Sequence, residues 1–249
     1  MRTLVGLTVW LMLCSSASLH AAEVAPRTAA SSPAASSPSR MRVSYDVYRD
    51  NLKIASMSET YTRNRDHYQL ESVSKPLGLL AMLKPEIIRV TSHGTVTAKG
   101  LRPTTFITKR KLDTERNTRA DFNWASGQIT LTDNAGQRTL PLPADTQDRL
   151  SAMYQFLFLS FENTSEFSFH MTNGSKVDIY NYHVTPNQSV TVPLGTFKAW
   201  YLVSPAEPGA SQTEVWLAAE HANFPYKMVI TDPNGDKFIQ LLTQLTVEP

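Results

Sequence analysis

YKMVITDPNGDKFIQLLTQL, residues 226–245, decides the fold class: two runs of apolar and β-branched residues are separated by a tight-turn tetrapeptide. Asn-Gly between apolar strands signals a β-hairpin, because both central positions of a type I′ turn require positive φ. The reading repeats outward. Asn173-Gly174 lies between FSFHM (167–171) and KVDIYNYHV (176–184). Val43, Tyr45 and Val47 alternate with Arg42, Ser44 and Asp46, the period of a half-buried strand. A turn at Asp50-Asn51 leads into a second strand ending near Thr62, and Asn64-Arg65-Asp66 turns into HYQLESVS. Strands at 104–111 and 117–124 precede Gly127, the run QITLTD and the turn Asn134-Ala135-Gly136. Roughly a dozen strands are predicted, and the class is mainly β: a curved antiparallel sheet or a half-closed β-barrel.

Two segments break this pattern. In TQDRLSAMYQFLFLSFEN, Leu150, Met153, Tyr154, Leu157, Phe158 and Phe161 share one helical face, while Phe156 and Leu159 make the far half apolar nearly all round. Such a helix is buried on most sides. It is predicted over about 146–161, plugging the concave face of the sheet, with Asp145 or Thr146 as N-cap and Asp148 at the positive end of its dipole. The second segment, KPLGLLAMLKPE (75–86), is an apolar stretch bracketed by Lys75-Pro76 and Lys84-Pro85. A short apolar helix over about 77–84 is expected there, since proline starts and stops helices abruptly. It reads as a flap over a ligand cavity, as a surface turn touching lipid, or as a loop helix closing the core.

The first forty residues are of another kind. Arg2, the largely apolar run Leu4–Leu13 and the small residues leading to Ala21-Ala22 are the parts of a secretory signal peptide over 1–22. The run is shorter than the roughly 20 residues of a membrane span. Cys14, the single cysteine, falls inside the 1–22 segment, so the processed chain is expected to have no thiol and no disulfide. Residues 23–40 are 13 parts in 18 Ala, Ser and Pro, a linker without material for a core. A single β-rich domain is expected over 41–249. The expected location is the periplasm, with no transmembrane span left after signal cleavage.

Lys and Arg number 24 against 22 Asp and Glu, and this near-balance is not that of a nucleic-acid binder. The densest basic run, Lys109-Arg110-Lys111, is interrupted downstream by Asp113 and Glu115 and reads as a solvated hairpin. His67, His93, His170, His183 and His221 fall on separate elements without ligand spacing. DPNGDKF has its glycine at the wrong position for a calcium loop. No residue is nominated for catalysis, cofactor or metal, and no cofactor is expected. The candidate ligand-contacting or lid residues are Leu79, Leu80, Met82, Leu83, Met153, Phe156, Phe158 and Trp216.

Four phrases in order, GLRPTTF (100–106), QDRLSAMYQF (147–156), VPLGTFKAWYLV (192–203) and EVWLAAEHANFPYKM (214–228), resemble the bacterial envelope family DUF3108 over about Met41 to Val247. The resemblance implies a periplasmic location and a curved, largely antiparallel sheet, and it carries no catalytic residue. The functional expectation is a non-enzymatic binder or carrier of an apolar, lipid-like ligand. The alternatives are an interaction or assembly factor contacting an envelope protein, and a hydrolase whose His and carboxylate would have to meet in a polar pocket.

Overall fold

A computed structural model describes residues 38–249; the predicted signal peptide and most of the predicted linker lie outside the described residues. Chain pairing begins slightly before the expected end of the linker. The Ser39 amide donates to the Glu248 carbonyl, and Arg40 opens the first strand.

The body is one open sheet of fifteen strands. β1 (Arg40–Arg49), β2 (Leu52–Asn64), β3 (His67–Pro76), β4 (Ile88–Thr97), β5 (Gly100–Arg110), β6 (Thr118–Asn123), β7 (Gln128–Asp133) and β8 (Gly136–Pro141) form one meander. β9 (Gln147–Asp148), β10 (Glu166–Thr172), β11 (Val177–Val192), β12 (Gly195–Val203), β13 (Gln212–Ala218), β14 (Phe224–Thr231) and β15 (Lys237–Glu248) form a second. The two are joined centrally by the antiparallel pair β1–β15, and β9–β10 is the one parallel pair among the described strands. Strand parity sets the inner face. Met41, Val43, Tyr45 and Val47 point inward from β1, and Phe106, Thr108 and Arg110 from β5.

The ladder does not close, yet the sheet curls until its two ends touch through side chains. Thr118 of β6 donates to the Asn173 carbonyl, Arg138 of β8 reaches the Ser175 carbonyl, and Gln147 of β9 donates to the Leu101 carbonyl of β5. The result is a half-closed barrel.

Its concave face is filled, but by less helix than the periodicity suggests. The helix α2 covers Ser151–Gln155 and continues as a 3-10 turn over Phe156–Phe158, not the predicted 146–161. Gln147 and Asp148 instead pair with Met171 and Thr172 of β10. Neither Asp145 nor Thr146 caps the helix. Asp145 sits at φ 56°, and the Asp148 carboxylate accepts the Leu150 and Ser151 amides, which fixes the helix start. Leu150, Ala152, Tyr154 and Phe156 are buried and Met153, Gln155, Leu157 and Phe158 half-buried, so the element is covered on most sides as expected, though it is shorter. The predicted short helix is present as α1 (Gly78–Leu83).

Both Asn-Gly loops turn the chain, though not as type I′. Only the glycine has positive φ in each: Gly174 at 90° and Gly235 at 87°. The Asn173 side chain accepts the Ser175 and Lys176 amides, an Asx turn, and the Gly235 amide donates to the Asp232 carbonyl in a type I turn with Pro233 at its second position. The Asp232 carboxylate adds bonds from the Asn234 and Asp236 amides. In the predicted solvated hairpin, Lys109 and Lys111 are exposed but Arg110 is buried at 7% exposure, because it falls on the inward parity of β5.

Candidate functional site

Two carboxyls lie inside the barrel. Glu59 shares the inward parity of β2 with Met57 and Tyr61, and its Oε2 accepts the Tyr154 hydroxyl at 3.0 Å. Asp148 accepts the Ser92 hydroxyl at 2.5 Å, and the Ser92 oxygen meets the Tyr68 hydroxyl at 3.0 Å. Between them the Tyr61 ring stacks with Tyr68 and Tyr154 at centroid distances of 6.4 and 5.7 Å. Burial pushes Glu59 up to about 7 and Asp148 up to about 6, against the opposing pull of the hydroxyls and amides they accept. Burial likewise raises Tyr45, Tyr68 and Tyr154 well above the ordinary phenol range.

This network holds α2 to the sheet, and it makes stability depend on pH. A carboxyl whose folded pKa is raised favours the protonated native state, so its stabilising contribution is complete below the unfolded value and is lost as pH rises through the folded value. Thermal stability is therefore expected to fall between about pH 4 and 7, with Asp148 acting over the lower part of that window and Glu59 up to its top. Glu59→Gln keeps a neutral acceptor for Tyr154 and should flatten the upper part of the profile in a melting series. An unchanged slope in that variant would remove Glu59 as the cause.

A cleft opens beside α2, in two adjoining lobes of about 220 and 620 Å³. Both lobes touch Ala144, Asp145, Gln147, Gln155 and Leu159. The smaller continues along Phe156, Phe167 and Phe169; the larger runs past Leu101 and Trp124 to Lys99 and Arg102. Gln155 shapes the junction. Its amide accepts from the Leu101 N–H and donates to the Lys99 carbonyl, both at 2.7 Å, and pins the β4–β5 turn. At the polar end the Arg102 guanidinium stacks on Trp124 at 4.8 Å, and Lys99 Nζ lies 4.0 Å from Asp145.

At the far end of β4 and β5 the barrel has a second, smaller mouth of about 80 Å³, floored by Val47, Ile54 and Phe238 beneath Leu80 of α1. Glu86 at its edge accepts the Lys111, Leu112 and Asp113 amides and so holds the β5–β6 connection.

The structure separates the residues nominated from sequence. Phe156 lines the cleft, Met153 packs against both apolar clusters of the core, and Phe158 packs against the one that holds Tyr61 and Tyr154. Leu79, Leu80, Met82 and Leu83 belong to α1 at the opposite end. Trp216 lies across its strand from the buried Val215 and Leu217, against the Tyr201 ring at 4.8 Å and Lys227 Nζ at 4.4 Å, and lines neither opening. Cleft residues not nominated include Phe167 and Phe169 on one face of β10, Leu159, Trp124, Lys99, Arg102 and the pinning Gln155. Among the described residues no group of three or more His, Cys, Asp or Glu is placed to hold a metal ion. His67 Nδ1 lies 3.5 Å from Asp66 on an exposed turn.

The pattern of the family described as "Protein of unknown function (DUF3108)" matches residues 44–242. The chain belongs to the DUF3108 family. No curated protein matches this DUF3108 chain. Among solved structures it is similar to the crystal structure of a β-barrel-like protein of the domain of unknown function DUF1849 from Brucella abortus. The two share 13% identity over 90% of this chain and 100% of that one, with a TM-score of 0.55, a likeness of fold alone. It agrees with the half-closed, barrel-like sheet seen in the DUF3108 protein.

Proposed function

We propose that this protein is a non-enzymatic module of the cell envelope that holds an elongated, lipid-like ligand in the cleft beside α2. The carrying observation is the chemistry of the walls: Phe156, Phe167, Phe169 and Leu159 offer an apolar track, and Lys99 with Arg102 waits at its polar end. A ligand with an acyl-like body and an anionic end matches both. Ligand sites are concave, mostly apolar and carry a few placed polar groups. The ligand does not sit inside the barrel, since Tyr61, Tyr154 and Phe224 pack that space. The envelope location is supported by the export-type segment at residues 1–22.

Mass spectrometry of the protein purified with its native lipids, followed by titration with a fluorescent fatty acid, tests the reading. Ala144 is exposed and touches both lobes, so Ala144→Trp fills the junction without disturbing the core. Loss of at least about tenfold in affinity at an unchanged melting temperature is expected, since blocking removes most of the apolar contact. A protein that carries no lipid and takes up no probe, or a variant that binds as tightly as the parent, sinks the proposal.

A further inference from the structure

The α1 end of the barrel is a separate feature. α1 is fixed on one side only: the Leu77 amide donates to the Ile54 carbonyl at 2.8 Å, and Leu80 packs on the core. Its other side points away from the protein, with Leu79 70%, Met82 81% and Leu83 71% exposed. Leu52, at the start of β2, and Leu112, held beside Glu86, expose large apolar side chains on the same rim. Single exposed leucines are ordinary, but several on one rim mark a contact surface.

Cations ring this patch. Lys75, Lys84, Lys109 and Lys111 flank α1 and the end of β5, and none forms an ion pair among the described residues. Two of the acids beside them are engaged, Glu86 by three amides and Asp113 by Arg116 at 3.2 Å; Glu115 lies exposed on the same connection. Under Leu80 the mouth is lined by Arg110, nearly buried, whose Nε has no hydrogen-bond partner among the described residues. A desolvated cation with an unmatched donor favours an anion nearby.

We propose that this rim docks on an anionic lipid surface, with Leu79, Met82 and Leu83 entering the acyl region and the lysines meeting the headgroups. Charge complementarity selects this occupant. Lysine is depleted in protein–protein interfaces, and one helix of six residues offers little of the area that a stable protein interface buries. A second copy would bring the same cations face to face. Apolar tips flanked by lysines are what interfacial segments present to a bilayer. The inference is independent of the α2 cleft.

The experiment reads α1 directly. Cys14 is the chain's single cysteine, so a polarity-sensitive fluorophore is attached to Met82→Cys in a Cys14→Ser background, with Ala125→Cys on the exposed β6–β7 turn at the opposite end as control. The expected result is a blue shift at position 82 on vesicles containing phosphatidylglycerol, none on phosphatidylcholine vesicles, and none at position 125. Joint Lys75→Glu and Lys84→Glu should weaken the vesicle response by about tenfold at low salt. No shift at position 82, equal shifts at both positions or on both vesicle types, or a shift from self-association without lipid overturns the proposal.

Discussion

Replacing Tyr154 by alanine is expected to lower the unfolding free energy by about 4 kcal/mol, read as the shift of a urea transition. The ring is fully buried, stacks on Tyr61, meets Phe224 edge-on at 5.4 Å, and carries the hydroxyl that donates to Glu59. The substitution opens a cavity between α2 and both halves of the sheet, and it takes from the buried Glu59 carboxyl one of its hydroxyl donors, leaving Ser72. Tyr154→Phe separates the two contributions. It keeps the ring and removes only the hydroxyl, so it should cost about 1–2 kcal/mol. Equal losses in the two variants would mean that the hydrogen bond, not the packing, fastens α2.

Gly94→Ala should be comparably damaging, about 3 kcal/mol or more, for a reason that involves no lost contact. A Cβ at this position would run into the Arg102 carbonyl oxygen, with the Pro103 Cα and a Tyr68 ring carbon each at 2.8 Å. The β4–β5 register shifts between His93 and Gly94, so the backbones approach closely at that bulge. Backbone atoms cannot rotate aside as a flexible side chain can. The pair β4–β5 must separate locally or the sheet must re-register, and either outcome lowers the melting temperature. A variant melting with the parent would show that the bulge can relax.

Much of this fold is legible in the sequence because it is local. The parity of Met41, Val43, Tyr45 and Val47 follows from a period of two, and Pro76 and Pro85 bracket α1 as proline chemistry requires. Parity also contains readable signals that the amphipathic reading passes over: Glu59 lies in step with Met57 and Tyr61, and Arg110 with Phe106 and Thr108. A charge on an inward step marks a buried charge. The helix start was not legible, because Asp145, Thr146 and Asp148 read as a cap and acidic first turn just ahead of the apolar period that begins at Leu150. Only pairing with the distant Met171 and Thr172 makes Gln147 and Asp148 a strand. The cleft is hidden for the same reason. Phe167 and Phe169 show one face of a strand, but nothing near them in sequence says that Phe156 and Gln155 will complete the wall.

The pairing of β1 with β15 sets a condition on how the protein is made. Arg42 and Glu248 meet across 206 positions of chain, whereas most neighbouring strands are joined by short turns. Local hairpins of each meander can form as soon as they are synthesised, but the central seam waits for the last strand. Until then β1 holds an unpaired ladder edge and the apolar row Met41, Val43, Tyr45 and Val47 lacks its neighbours from β15. The slow step of folding is thus a single long-range closure, and the strand that opens the body during vectorial synthesis is the last to be completed.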